Sequence, residues 1–103
     1  MEPEDVYIEE NQEGILNCVF TAAASQCYWS KDGRIVDISN RYEYIGDPEQ
    51  GNCSIRIKSK YSLDNGKWKC GTTASSSELG LSSKWAQFTV LGKKIHIILV
   101  NLS

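Results

Sequence analysis

The stretch 63–70, Leu-Asp-Asn-Gly-Lys-Trp-Lys-Cys, constrains the fold more than any other part of this chain. Asp64 and Gly66 favour a tight corner, because an Asp side chain can bond nearby backbone and Gly tolerates a positive φ. After this corner, apolar and charged residues alternate, as in a β-strand with one buried and one solvent-exposed face. The alternating residues are Lys67, Trp68, Lys69 and Cys70.

Two upstream residues, Cys18 and Trp29, form a pattern together with Cys70 of this strand. Cys18 lies in the run Ile15-Leu16-Asn17-Cys18-Val19-Phe20, and Trp29 follows Gln26-Cys27-Tyr28. The order Cys18, Trp29, Cys70 in a chain of 103 residues resembles an immunoglobulin-superfamily domain over roughly residues 4–91. The resemblance implies an all-β fold, an immunoglobulin-like two-sheet antiparallel sandwich of the variable-like or intermediate set.

The remaining pattern supports seven or eight short strands without helical periodicity. We expect one domain over residues 1–91, since a chain of 103 residues has no room for two. Residues 92–103 have no place in such a domain, and we expect a tail or linker whose role stays open. The predicted strands cover residues 5–8, 15–20, 26–31, 34–37, 42–45, 52–57, 66–70 and 85–91.

The four cysteines predict an oxidising compartment and two bridges between the sheets. The resemblance implies that Cys18 and Cys70 lie on opposite sheets with Trp29 packed on their bridge. Cys27 and Cys53 also take core-facing positions, on strands that belong to opposite sheets of a sandwich, so we expect a second bridge between them. The alternative is a pair of buried thiols.

One narrower resemblance concerns this second cysteine pair. The stretches 44–57 and 64–70 are similar to the first immunoglobulin domain of insect fasciclin III-type adhesion proteins, which carry cysteines at corresponding places. Two residues depart from these patterns. Trp29 is the residue usual in the superfamily and differs from the third strand of the fasciclin III-type family. Trp68 replaces the corner tyrosine that is usual in the superfamily. Trp68 can offer the corner only an indole N–H.

Charge and composition exclude several function classes. Arg56 and Lys58 fall on one sheet and Lys67 and Lys69 on the other, so no single basic stripe for nucleic acid is expected. Catalysis is not expected either, because His96 is the only histidine and no Ser-His-Asp set can form. No C-x-x-C pair is present, and we expect neither a metal site nor a cofactor.

The candidate partner-binding residues lie on the outward face of the strands at 26–31, 66–70 and 85–91. Aromatic side chains beside lysines give rigid contact area for a protein partner, unless Trp85 is covered by the Ser-rich loop or by the tail. The favoured interpretation is an extracellular recognition module of a cell-surface adhesion or receptor protein. The named residues are Tyr28, Lys67, Lys69, Trp85 and Gln87.

The resemblance implies binding to a protein, either a second copy in a homodimer or another cell-surface protein. The alternative is a secreted immune-type domain that binds a foreign or soluble ligand. We expect passage through the secretory pathway although the chain carries no signal peptide, and membrane contact only through flanking sequence. Asn52 and Asn101 begin formal glycosylation sequons, and Arg41 and Asp64 are expected to form a structural ion pair.

Overall fold

A computed structural model describes residues 1–20, 26–38, 41–58, 62–72 and 81–91. These residues form eight strands and two short 3-10 helices, Pro48–Gln50 and Ser62–Asp64. Within them, no helix is long and apolar enough to cross a membrane. The strands are β1 (Val6–Glu9), β2 (Glu13–Leu16), β3 (Cys27–Lys31), β4 (Arg34–Val36), β5 (Tyr42–Tyr44), β6 (Ile55–Lys58), β7 (Gly66–Thr72) and β8 (Ala86–Leu91).

The strands form two sheets that pack face to face. One sheet has the order β1-β8-β7-β3-β4, and the other has the order β2-β6-β5. The predicted two-sheet sandwich is confirmed, although one pair runs parallel: β1 lies beside β8, with Val6 opposite Phe88. β1 can run parallel to β8 because it joins this distant strand instead of forming a hairpin with β2.

A two-residue turn between β3 and β4 follows directly from its sequence. Asp32 and Gly33 both have positive φ, at 51° and 85°. This conformation is typical of the hairpin turn that Asp-Gly favours, because its twist matches that of the two strands. Asp32 also accepts a hydrogen bond from the Lys67 backbone N–H at 2.9 Å, which ties the turn to β7.

The core lies between the sheets and is built around three aromatic rings. Trp29 and Trp68 meet edge to face with their ring centroids 6.4 Å apart, and Phe88 lies 6.3 Å from Trp68. All three side chains are fully buried. Edge-to-face contacts of this kind add to the stabilisation that burial of apolar area supplies. Leu16, Ile55, Ile57 and the cysteines fill the space around them.

Both predicted disulfides are present and join the two sheets. Cys18 pairs with Cys70 across a Cα–Cα distance of 6.6 Å, and Cys27 pairs with Cys53 across 5.8 Å. The indole N–H of Trp29 donates to the carbonyl of Cys53 at 2.7 Å, so this tryptophan is tied to the second bridge as well as packed against the core.

Candidate recognition surface

The outward residues of β3, β7 and β8 lie on one continuous surface of the five-stranded sheet, which we call the outer sheet face. Strand register places Lys67 opposite Gln87, and Tyr28 opposite Gly71. Trp85 directly precedes β8 and lies beside Lys69. All five residues named from the sequence therefore lie on this face.

Trp85 is the largest exposed apolar side chain on the outer sheet face. It is 46% exposed, and the Lys69 ammonium lies 5.0 Å from its ring centroid. A cation in this position is attracted by the negative ring face and restricts the orientation of the ring. The neighbouring backbone is fixed too, because Lys84 N–H and Gln87 N–H donate to the carboxylates of Glu2 and Asp5, each at 2.8 Å.

The position of Tyr28 depends on the glycine opposite it. A Cβ atom at Gly71 would lie 2.5 Å from the Tyr28 hydroxyl oxygen and 3.0 Å from the Leu81 carbonyl oxygen. The tyrosine ring therefore lies across a gap that a larger residue would fill. Tyr28 is half-buried as a result, while Ser30, its outward neighbour along β3, is buried.

Sequence reasoning missed two exposed apolar residues on the same sheet. Ile35 on β4 is 75% exposed and lies opposite Ser30; Tyr7 on β1 is 62% exposed and lies opposite Thr89. The signal for Tyr7 was present in the alternation, since Tyr7 lies between the inward residues Val6 and Ile8. Exposed apolar side chains therefore occur on the outward side of the whole five-stranded sheet, from β1 to β4.

The outer faces of the two sheets differ in their charge pairing. On the three-stranded sheet, Arg56 contacts Glu43 at 2.7 Å and Glu13 at 3.3 Å, and Lys58 lies 3.7 Å from Glu13. On the five-stranded sheet, no carboxylate among the described residues lies within 4 Å of the ammonium groups of Lys67 or Lys69.

The corner before β7 is a structural cluster apart from this surface. Arg41 donates from two nitrogens to the fully buried Asp64 carboxylate at 3.2 and 3.3 Å, as the sequence predicted. The Tyr42 hydroxyl donates to the same carboxylate, and the Trp68 indole N–H donates to the Asp64 carbonyl at 2.9 Å. Burial, and then the hydrogen bond from the Tyr42 hydroxyl to the Asp64 carboxylate, raise the pKa of Tyr42 to about 12.

The first sequon lies in a hydrogen-bonded turn. The Asn52 Oδ1 accepts from the Ser54 backbone N–H at 3.2 Å, and the Ser54 hydroxyl accepts from the Cys18 N–H at 3.0 Å. Glycosylation at Asn52 stays a prediction. Asn101 and the whole segment 92–103 lie outside the described residues.

Within the part of the chain that the structure describes, no group of three or more His, Cys, Asp or Glu side chains could hold a metal ion. Every buried side-chain nitrogen or oxygen among these residues has a hydrogen-bond partner. The side chains of the outer sheet face thus offer contact area, hydrogen-bond donors and positive charge.

Comparison with solved structures identifies immunoglobulin domains of similar shape. The first domain of fly Duf (Kirre) superposes with a TM-score of 0.75 at 27% identity, covering 89% of this chain and 93% of that one. The two-domain D1-D2 structure of fly Rst gives a TM-score of 0.76 at 24% identity, and the match spans 89% of this chain and 47% of that structure.

More distant matches show the fold alone. The titin domain I10 gives a TM-score of 0.67 at 13% identity, covering 87% of this chain and 92% of that one. Neither a protein-family model nor a curated protein sequence matches this chain. The chain is an immunoglobulin-like β-sandwich, similar in fold to domains of the fly immunoglobulin-superfamily adhesion proteins Kirre and Rst.

Proposed function

We propose that this chain is an extracellular recognition module of a cell-surface adhesion or receptor protein, and that it binds a protein partner through the outer sheet face. The observation that carries the proposal is the contrast between the two sheets. One outer face pairs its charges internally, whereas the other exposes aromatic and aliphatic side chains beside lysines that have no carboxylate within 4 Å among the described residues.

The chemistry of the outer sheet face suits a protein partner. Trp and Tyr dominate binding energy at many interfaces because they bury a large area at a small cost in side-chain entropy. Trp85 and Tyr28 are both restrained before a partner binds. The Lys69 ammonium lies over the Trp85 ring, and the Tyr28 ring packs into the space left by the missing side chain of Gly71. Restraint of this kind lowers the ordering cost of association.

The proposed partner is a second copy on an opposing cell or another cell-surface protein. The similarity to adhesion-protein domains supports this choice. The two disulfides support an extracellular or cell-surface location, since such bridges persist in oxidising compartments. Self-association in trans is the form to test first, because it needs no other protein.

A bead-aggregation assay tests self-association and the surface together. Beads coated with the chain are expected to clump, and Tyr28→Ala/Trp85→Ala is expected to abolish clumping. Ile15→Ala is the matched control, because Ile15 is 43% exposed on the outward side of the other sheet. Clumping by the double variant at the normal rate would overturn the surface assignment. If the unaltered chain fails to clump, self-association is wrong, and binding to cell surfaces is measured with the same three proteins.

A further inference from the structure

The two disulfides differ in their access to solvent. Cys18 and Cys70 are at most 1% exposed, and Cys53 has no exposure. Cys27 is only half-buried, because it is the first residue of β3 and lies at the end of the sheet. Cys27 is thus the most accessible of the four cysteines.

An open cleft of about 400 Å³ lies against Cys27. Its lining comprises Gln26, Cys27, Tyr44, Asp47, Pro48 and Glu49. The volume is sufficient for a small reagent, and the two acids give the cleft a negative rim. A dithiol that carries no further charged group should therefore reach Cys27 more readily than a dithiol with an additional carboxylate.

We propose that the Cys27–Cys53 bridge is a site of thiol–disulfide exchange in the folded protein, open to a small neutral dithiol, whereas the Cys18–Cys70 bridge is closed to it. Exchange needs a thiolate to reach a disulfide sulfur, so access decides which bridge reacts. Because Cys27 is the more exposed residue of this bridge and lines the cleft, its Sγ is the point of attack.

The reaction proceeds in two balanced steps. A thiolate of the dithiol attacks Cys27 Sγ, the Sγ–Sγ bond breaks, and its electron pair leaves on Cys53 Sγ, which takes up a proton. The second thiolate of the reagent then attacks the reagent's first sulfur, which is bonded to Cys27 Sγ in the mixed disulfide. Cys27 is released as a thiolate and is protonated. The reagent ends as a cyclic disulfide, and two electrons have passed to the protein.

Hydrogen bonds hold this end of the sandwich together without the bridge. Cys53 N–H donates to the Cys18 carbonyl at 2.7 Å, and the Cys53 carbonyl accepts from Trp29 at 2.7 Å. The Tyr44 hydroxyl donates to the Cys27 carbonyl at 3.3 Å. With the Cys18–Cys70 bridge intact as well, the reduced protein is expected to keep its fold.

Timed alkylation under native conditions tests the proposal. The folded chain is treated with dithiothreitol, new thiols are trapped with iodoacetamide, and labelled peptides are measured by mass spectrometry while circular dichroism follows the fold. Cys27 is expected to be labelled at least about tenfold faster than Cys18 and Cys70, since both exchange and alkylation follow access. Equal labelling rates for all four cysteines, or no labelling without denaturant, would overturn the proposal.

A charge test separates attack in the cleft from attack after unfolding. Dihydrolipoate, an anionic dithiol, is expected to react more slowly than dithiothreitol, and Glu49→Gln should narrow this difference by about twofold because one repelling charge is removed. Unfolding before attack would expose the sulfurs to both reagents, and Glu49→Gln would then leave the difference between their reaction rates unchanged. This readout uses the native bridges and requires no cysteine variant to fold.

Discussion

Replacing Trp68 by Phe tests how the corner before β7 is held together. The ring of Trp68 is fully buried between Trp29, Tyr42 and Phe88, and its indole N–H is bonded to the Asp64 carbonyl at 2.9 Å. Phenylalanine keeps an aromatic ring in this position but has no donor. The substitution therefore separates the hydrogen bond from most of the packing.

The expected cost follows from two effects. A buried carbonyl left without its donor costs about 1–3 kcal/mol. The smaller ring leaves a cavity that adds roughly 1 kcal/mol, at about 24 cal/mol per Å³. Trp68→Phe should therefore lower the free energy of unfolding by about 2–4 kcal/mol, measured by guanidinium denaturation with both disulfides intact.

Trp85→Phe is the matched control, because it removes an indole from the exposed surface of the same sheet. Its effect on the free energy of unfolding is expected to stay within about 0.5 kcal/mol. If the two variants lose similar stability, the Trp68 hydrogen bond does not hold the corner and the reasoning is refuted.

Three further predictions concern charge, pH and close packing. Because the pKa of Tyr42 rises from 10.0 unfolded to about 12 folded, its contribution to stability is present below pH 10 and is lost between pH 10 and 12. Allowing for partial exposure, the loss should be about 1 kcal/mol, and Tyr42→Phe should show less destabilisation over this pH range in paired denaturation curves. Gly71→Ala should displace the Tyr28 ring and lower partner binding at least about tenfold, as loss of an interface aromatic does; clumping of beads at the normal rate would contradict this. Arg56→Ala should change the free energy of unfolding by less than about 1 kcal/mol, since its ion pairs are exposed, and a larger loss would show that this network supports the fold.

The strands could be predicted because each rests on local alternation, and the bridges because the immunoglobulin resemblance assigned their strands to opposite sheets. Trp68 and Cys70 take inward positions by parity alone, and the same parity places Cys27 and Cys53 toward the core. Once the cysteines of each pair are assigned to opposite sheets, each sulfur has few other sulfurs with which it could form a bridge. The Asp-Gly turn at 32–33 is equally local, because it depends on two residues that tolerate positive φ.

Features that depend on strand order could not be obtained in this way. The parallel pairing of β1 with β8 joins opposite ends of the domain, and no local pattern encodes it. Ile35 appeared to be an ordinary strand residue, and its exposure follows from the edge position of β4. The gap at Gly71 that holds Tyr28 requires three segments to meet, so it became visible only in the folded chain.

Hydroxyl-radical footprinting of the chain in its bound state tests the central claim most directly. Oxidation of each residue is compared between clumped and dispersed beads, or between cell-bound and free protein. Burial of the outer sheet face in the interface predicts protection of Tyr28 and Trp85, with Ile15 oxidised equally in both states. Protection of Ile15 while Tyr28 and Trp85 stay fully reactive would contradict the account.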